Sequence, residues 1–283
     1  MIYLITGATG NVGSLVAERL VARGDRPRIF VRDANKARAR YDDRVDIFTG
    51  DLADAKTLTP ALTGADSLFL VNSGPDMPVL DGLAAEAAKA AEVKRLVKLS
   101  SYDASEQNVG TGVWHAAGEA AIRASGIPFT FVQPSGFMVN ALFWARSIKA
   151  EGIVRSATGD GKIPFIHSDD IADVCVKALT EPEYTGQSLA ITGPEALSYA
   201  DMKSKIAAAI GRSICFQPIS DEEERRKMVG RGEPAEIVAA HLSIYRAIRG
   251  GRLAAVTDTV ERVLGRKPIT FHQWVQENAA AFK

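Results

Sequence analysis

Three glycines, Gly7, Gly10 and Gly13, stand in the spacing G-x-x-G-x-x-G within Ile5-Thr6-Gly7-Ala8-Thr9-Gly10-Asn11-Val12-Gly13. An apolar run precedes them, and Val12, Leu15, Val16 and Leu20 follow at helical spacing. Glycines placed between a strand and a helix let the backbone turn tightly and approach a phosphate. The first N–H groups of the helix then offer it partial positive charge. A plain strand-to-helix turn needs one glycine, so three in this context point to a dinucleotide pyrophosphate. Thr6, Gly7, Gly10, Asn11, Val12 and Gly13 are the residues expected to contact it.

Which dinucleotide is set just after the second strand. A carboxylate there accepts from the ribose 2′-hydroxyl, whereas a cation meets a 2′-phosphate. Arg32 and Asp33 lie 19 and 20 residues past Gly13, and the usual spacing is about 20. Side chains alternate along a strand, so only one of the two faces the ribose. The run Arg28-Ile29-Phe30-Val31 makes Arg32 the first residue outside, with Lys36 and Arg38 close enough to add positive potential. NADP(H) is therefore expected in preference to NAD(H). The other reading of Arg32 is a surface ion pair with Asp33.

These residues need a scaffold, and the first half of the chain supplies one. Short apolar runs at Ile2–Thr6, Pro27–Val31, Val45–Thr49, Ser67–Asn72, Arg95–Ser100 and Phe129–Gln133 alternate with helical patterns. That rhythm predicts an α/β fold: a Rossmann-type doubly wound parallel sheet, helices on both faces, with a smaller, mainly helical C-terminal lobe. Residues 1–134 and 165–192 are expected to form the dinucleotide-binding domain, and 135–164 and 193–283 the substrate-side lobe. Ligands of such sheets sit at the carboxyl ends of the strands. Asp51 and Leu52 should then flank the adenine, and Asn72, Ser73 and Gly74 the ribose or pyrophosphate. Ser100, Ser101, Gln133, Pro134 and Ser135 should surround the nicotinamide. In the lobe, Ser198 with Asp201, Ser220 with Glu223 and Thr270 with Gln273 each read as a capping box, and Asp221 to Lys227 as a solvated helix face.

The Thr6-Gly7-Ala8-Thr9-Gly10 loop closed by Gly13 resembles that of the atypical short-chain dehydrogenase/reductases. Val31-Arg32-Asp33 with Lys36, the segment Leu189 to Ser198, and Trp114-His115 with Glu119 resemble their NmrA-like branch. The stretch from Gln217 onward is similar to the NADPH-dependent quinone oxidoreductases and triphenylmethane-dye reductases of that branch. The resemblance implies a Rossmann sheet, NADP binding with an arginine at Arg32, and substrate held between sheet and lobe. Typical members of the superfamily use Tyr-x-x-x-Lys on the helix after the fifth strand. Here that helix reads Gly112-Val113-Trp114-His115-Ala116-Ala117-Gly118-Glu119, without Tyr or Lys. His115 and Glu119 are four apart on one helix face and could shuttle a proton or form a plain helix pair. The spelling Tyr199-Ala200-Asp201-Met202-Lys203 opens a capped helix in the lobe, far from Ser100, and is read as coincidence.

Hydride transfer to a quinone or a cationic dye needs less machinery, because the product is delocalised or neutral. Trp114, Phe137, Met138, Phe143 and Trp144 could wall a flat apolar pocket, with Asn140 as its polar anchor. The expected function is an NADPH-dependent reductase acting on a quinone or other flat electron-poor acceptor. A non-enzymatic NADP-binding redox sensor acting through a protein partner is the alternative, and a sugar-linked dehydrogenase or isomerase a third.

Composition narrows the partners. Lys plus Arg and Asp plus Glu are 34 each, so no basic excess grips nucleic acid or an anionic membrane. Cys175 and Cys215 lack CxxC spacing, and His115, His167, His241 and His272 lack metal-ligand spacing, so no metal is expected. Met1 to Ile5 lacks a basic n-region, so no signal peptide is expected, and a cytoplasmic location follows. Ala124 to Ala145 is free of charge, but Pro128, Pro134 and Gly136 interrupt it as a membrane span. The expected partner is a small-molecule acceptor, and a homodimer is compatible with the sequence.

Overall fold

Six apolar runs form the parallel strands implied by the sequence. The computed structural model describes residues 1–106 and 109–283. The strands are β1 (Tyr3–Thr6), β2 (Arg28–Val31), β3 (Asp46–Thr49), β4 (Ser67–Leu70), β5 (Arg95–Leu99) and β6 (Phe129–Pro134). Between them run α1 (Asn11–Ala22), α2 (Ala34–Tyr41), α3 (Ala55–Leu62), α4 (Met77–Ala90) and α5 (Gly112–Ser125). Later in the chain come α6 (Ala145–Glu151), β7 (Ile153–Ser156), β8 (Lys162–Ile163), α7 (Ser168–Thr180), β9 (Ser188–Ile191), β10 (Leu197–Ser198), α8 (Tyr199–Ile210) and β11 (Cys215–Pro218). Then follow α9 (Asp221–Gly230), α10 (Ala235–Arg249), α11 (Thr259–Leu264) and α12 (Phe271–Asn278).

The chain divides into two units. The first comprises Met1–Ala104, Trp114–Gln133 and Ser168–Ala190. Its sheet has the order β3-β2-β1-β4-β5-β6-β9, and the strands from β3 to β6 pair in parallel. The order reverses between β1 and β4, the switch point where such sheets bind ligands. Alternation along the strands sorts the side chains by face. Leu4, Phe30, Leu68, Leu70, Leu96 and Phe131 pack with Leu58 and Leu62 of α3, Ala84, Ala85 and Ala88 of α4, and Ile122 of α5. On the other face, Ser67 and Arg95 bond to the Leu179 carbonyl of α7. There Arg19 of α1 pairs with Asp169 and Asp173 of α7. The Rossmann-type doubly wound architecture is thus the one expected.

The second unit comprises Ser105–Val113, Pro134–His167 and Ile191–Lys283. Helices α8, α9 and α12 begin at the three capping boxes expected at Ser198, Ser220 and Thr270, each with both reciprocal bonds. Helix α10 follows Pro234 without a side-chain cap, so no such signal announces it. This unit also carries two short sheets without a sequence signal, β11 parallel to β7 and β10 antiparallel to β8. The Asp221 to Lys227 face of α9 is largely solvated as expected, but Glu224 is buried and pairs with Lys227 at 3.0 Å, and Met228 after it is buried too. Among the described residues no helix is long and apolar enough to cross a membrane.

Candidate functional site

The glycine loop joins β1 to α1, and each of its glycines has a distinct job. Gly7 sits at φ +63°, a left-handed conformation, under Val71. At Gly13 a Cβ would stand 2.3 Å from the Gly7 carbonyl oxygen, so only glycine lets the helix close on the loop. At Gly10 a Cβ would meet only that same oxygen, at 3.2 Å. This is the division of labour a pyrophosphate loop requires: turn, open approach, close packing. Asn11 and Val12 open α1, so their N–H groups are in its unsatisfied first turn. Thr6 is used differently. Its hydroxyl donates to the Phe69 carbonyl at 3.1 Å and accepts from the Val71 N–H at 2.8 Å, tying β1 to β4 inside the sheet.

At the β2 end, Asp33 caps α2, accepting from the N–H groups of Asn35 and Lys36. Arg32 and Lys36 are exposed. The surface pair of Arg32 with Asp33 does not form, because the carboxylate is turned into the helix. Beside the loop lies a shallow, open depression lined by Thr9, Gly10, Asn11, Ser14, Leu15 and Arg40. Arg40 is held there by Glu18 at 2.8 Å, and nothing in its spacing marked it. At the β3 end Asp51 accepts from the Ala53 N–H at 2.9 Å, while Leu52 packs on the core.

The ends of β4, β5 and β6 carry amide and hydroxyl side chains anchored by buried carboxylates. Asn72 donates through Nδ2 to Asp81 Oδ1 at 2.8 Å. The other Asp81 oxygen pairs with Lys98 Nζ at 2.5 Å, both side chains being 0% exposed. Ser100 donates to Glu119 Oε1 at 2.6 Å, and Gln133 Nε2 donates to the same oxygen at 2.7 Å. Glu119 Oε2 faces Arg123 at 3.4 Å. The expected His115–Glu119 pair is therefore replaced: the carboxylate faces the strand ends, and His115 Nδ1 is buried without a hydrogen-bond partner. Burial, and after it the Lys98 charge, push the His115 pKa down to about 3. The imidazole is neutral near pH 7 and a poor proton donor. Ser73 and Gly74 follow β4 in the open turn, Gly74 at φ +96°, and Ser101 is half-buried after β5. A lysine within an apolar strand and an aspartate within an alanine-rich helix were the only signals for Lys98 and Asp81.

In the second unit Pro134 and Ser135 are buried, and Ser135 donates to the Pro164 carbonyl. Trp144 meets Tyr199 edge-on with ring centroids 4.9 Å apart, and Phe165 lies 5.7 Å from the same ring. Phe137 is half-buried and Asn140 exposed. Met138 is packed away at 1% exposed, whereas Phe143 stands out at 83%. Trp114 belongs to the first unit, half-buried on α5.

Parallel strands with a three-glycine cradle at the switch point define a Rossmann-type dinucleotide-binding protein. Residues 7–182 match the model of the NAD(P)H-binding family, and the chain belongs to that family. The family matched is this one, not specifically the NmrA-like branch. The chain is 37% identical to an NAD(P)H azoreductase of Xenophilus azovorans, over 99% of this chain and 98% of the relative. It is 35% identical to the (4-alkanoyl-5-oxo-2,5-dihydrofuran-3-yl)methyl phosphate reductase of Streptomyces griseus, over 99% and 98%. The crystal structure of an NADPH-dependent quinone oxidoreductase from Escherichia coli, complexed with NADPH, superposes with a TM-score of 0.88 at 25% identity, covering 98% of this chain and 99% of that one. The protein is an NAD(P)H-binding oxidoreductase of the quinone-reductase-like fold.

Proposed function

We propose that the chain is an NADPH-dependent reductase of the NmrA-like branch that passes hydride to a quinone or other flat, electron-poor acceptor. The observation that carries this is His115. It occupies the helix where a dehydrogenase would keep its acid, yet its Nδ1 is buried without a hydrogen-bond partner and Glu119 is turned away to Ser100 and Gln133. An acceptor that spreads the incoming charge over its own conjugated atoms and takes its proton from water needs no such acid. The similarity to an azoreductase and a quinone oxidoreductase supports acceptors of this kind.

Bound NADPH would supply the hydride. The protein's part is to hold the dinucleotide on the glycine loop, with Arg32 and Lys36 toward a 2′-phosphate, and to orient the acceptor. Phe137, Asn140 and Trp144 are the residues assigned to the acceptor, with Trp144 braced by Tyr199. A non-enzymatic NADP-binding sensor is the competing function, favoured by the same lack of an acid. The deciding experiment is stopped-flow oxidation of stereospecifically deuterated NADPH across a panel of quinones and azo dyes. We expect an isotope effect in the wild type, kept in His115→Ala at a rate within about tenfold, or roughly 1.4 kcal/mol of barrier. Phe137→Ala and Trp144→Ala should slow turnover more. Tight NADPH binding without turnover on any acceptor would sink the reductase and favour the sensor.

A further inference from the structure

We propose that the buried Lys98–Asp81 ion pair is a positioning device for the cofactor, orienting the Asn72 amide so that its carbonyl oxygen is offered at the β4 end to a ribose hydroxyl of the dinucleotide. This rests on the cofactor part of the function proposed above and not on the identity of the acceptor.

Stability alone is a poor reason for this pair. Both side chains are 0% exposed. Removing two charges from water is costly, and apolar residues of similar volume commonly do as well or better. The surroundings are nevertheless shaped for it. Lys98 shares the sheet face of Leu96, which places its ammonium under α4 and α5. Gly118 of α5 has no room for a side chain, because a Cβ there would stand 2.2 Å from Asp81 Oδ2. Helix α5 thus gives up a side chain where the α4 carboxylate enters.

The chemistry of the carboxylate then sets the amide. Asp81 Oδ1 accepts from Asn72 Nδ2 at 2.8 Å, so the amide turns its nitrogen toward the carboxyl group. Lys98 Nζ faces the other oxygen at 2.5 Å, so that oxygen is occupied and Oδ1 is the one left for the amide. With the nitrogen committed inward, the amide oxygen lies on the opposite side, as an acceptor for a hydroxyl donor. Asn72 follows β4, at the switch point with β1, where a dinucleotide's ribose belongs.

The test is NADPH titration of the full chain by fluorescence, with thermal unfolding measured on each variant. Lys98→Met combined with Asp81→Leu replaces the pair by apolar side chains. We expect an unfolding midpoint close to wild type and an NADPH Kd raised about tenfold. Asn72→Ala should raise Kd similarly, and adding it to the double variant should change nothing further, since the pair acts through that amide. Gly118→Ala retains every charge and adds one methyl group against Asp81, so it should weaken binding in the same direction. A folded double variant that binds NADPH like the wild type overturns the proposal, and so do losses that simply add. A purely structural role would move the unfolding midpoint and leave Kd alone. If the double variant does not fold, Gly118→Ala decides: unchanged binding in that folded variant overturns the proposal. Failure to reduce any quinone or dye would remove the proposed acceptor and leave these binding outcomes as they stand.

Discussion

Ser100 at the end of β5 donates its hydroxyl hydrogen to Glu119 of α5 at 2.6 Å, and both residues are buried. The same carboxylate oxygen takes the Gln133 amide at the end of β6. One helix residue therefore ties two strand ends together where the nicotinamide is expected, and a third polar side chain, Asn72, is tied in the same way by Asp81. The strand ends carry their functional groups already oriented, which lowers the cost of ordering them when a ligand binds.

Glu119→Ala should be strongly destabilising. It strands the Ser100 hydroxyl and the Gln133 amide in the interior, at about 1–3 kcal/mol for each unsatisfied group. Glu119→Gln retains one acceptor and should cost less. Urea unfolding of the two variants measures the difference, and equal stability of Glu119→Ala and wild type would remove the anchoring role.

Arg32 should select the cofactor. Asp33 is turned into the α2 cap and leaves the cation as the residue for a 2′-phosphate. A charge-assisted bond to phosphate is worth roughly 1.5–3 kcal/mol. NADP(H) should then bind at least about tenfold more tightly than NAD(H), and Arg32→Ala should erase the difference. Calorimetric titration with both cofactors checks it, and equal wild-type affinities would overturn the assignment.

His115 should shape the acid limb of stability. Its folded pKa lies near 3 and below the ordinary value of 6.5, so the unfolded chain binds the extra proton between those values. Stability from this group is complete above pH 6.5 and is lost as pH falls toward 3. At pH 5 the loss should be roughly 2 kcal/mol, at about 1.4 kcal/mol for each pH unit below the unfolded pKa. His115→Leu should flatten that limb in urea titrations from pH 7 to about 4.5. An unchanged slope would show that the imidazole is not held neutral.

Tyr199→Phe with Lys203→Ala should leave NADPH affinity and any reductase rate nearly unchanged. The pair opens α8 in the second unit, and the Tyr199 ring serves as packing for Trp144 and Phe165. Phenylalanine keeps that ring. A hundredfold loss of turnover in the folded double variant would make this pair the acid after all.

What the sequence determined by itself was whatever depends on near neighbours. Strands of a parallel sheet appear as short, mainly apolar runs, so β1 to β6 could be placed from the chain alone, although the edge strand β3 is only half-buried and β5 carries Lys98. A capping box closes within four residues, and the glycine loop draws its meaning from the strand and helix on either side. Side-chain direction was left to the tertiary structure. Glu119 and His115 share a helix face, yet Glu119 turns to Ser100 and Gln133, because a buried carboxylate goes where donors are fixed. Lys98 and Asp81 meet only once β5 and α4 are packed. The pairing of β7 with β11 joins short strands far apart in the chain, for which local pattern holds no signal. Met138 and Phe143 looked equivalent as apolar residues of one segment, and packing buried the first while leaving the second in water. Local chemistry chooses the elements, whereas the partner of a long side chain is chosen by whichever element folds against it.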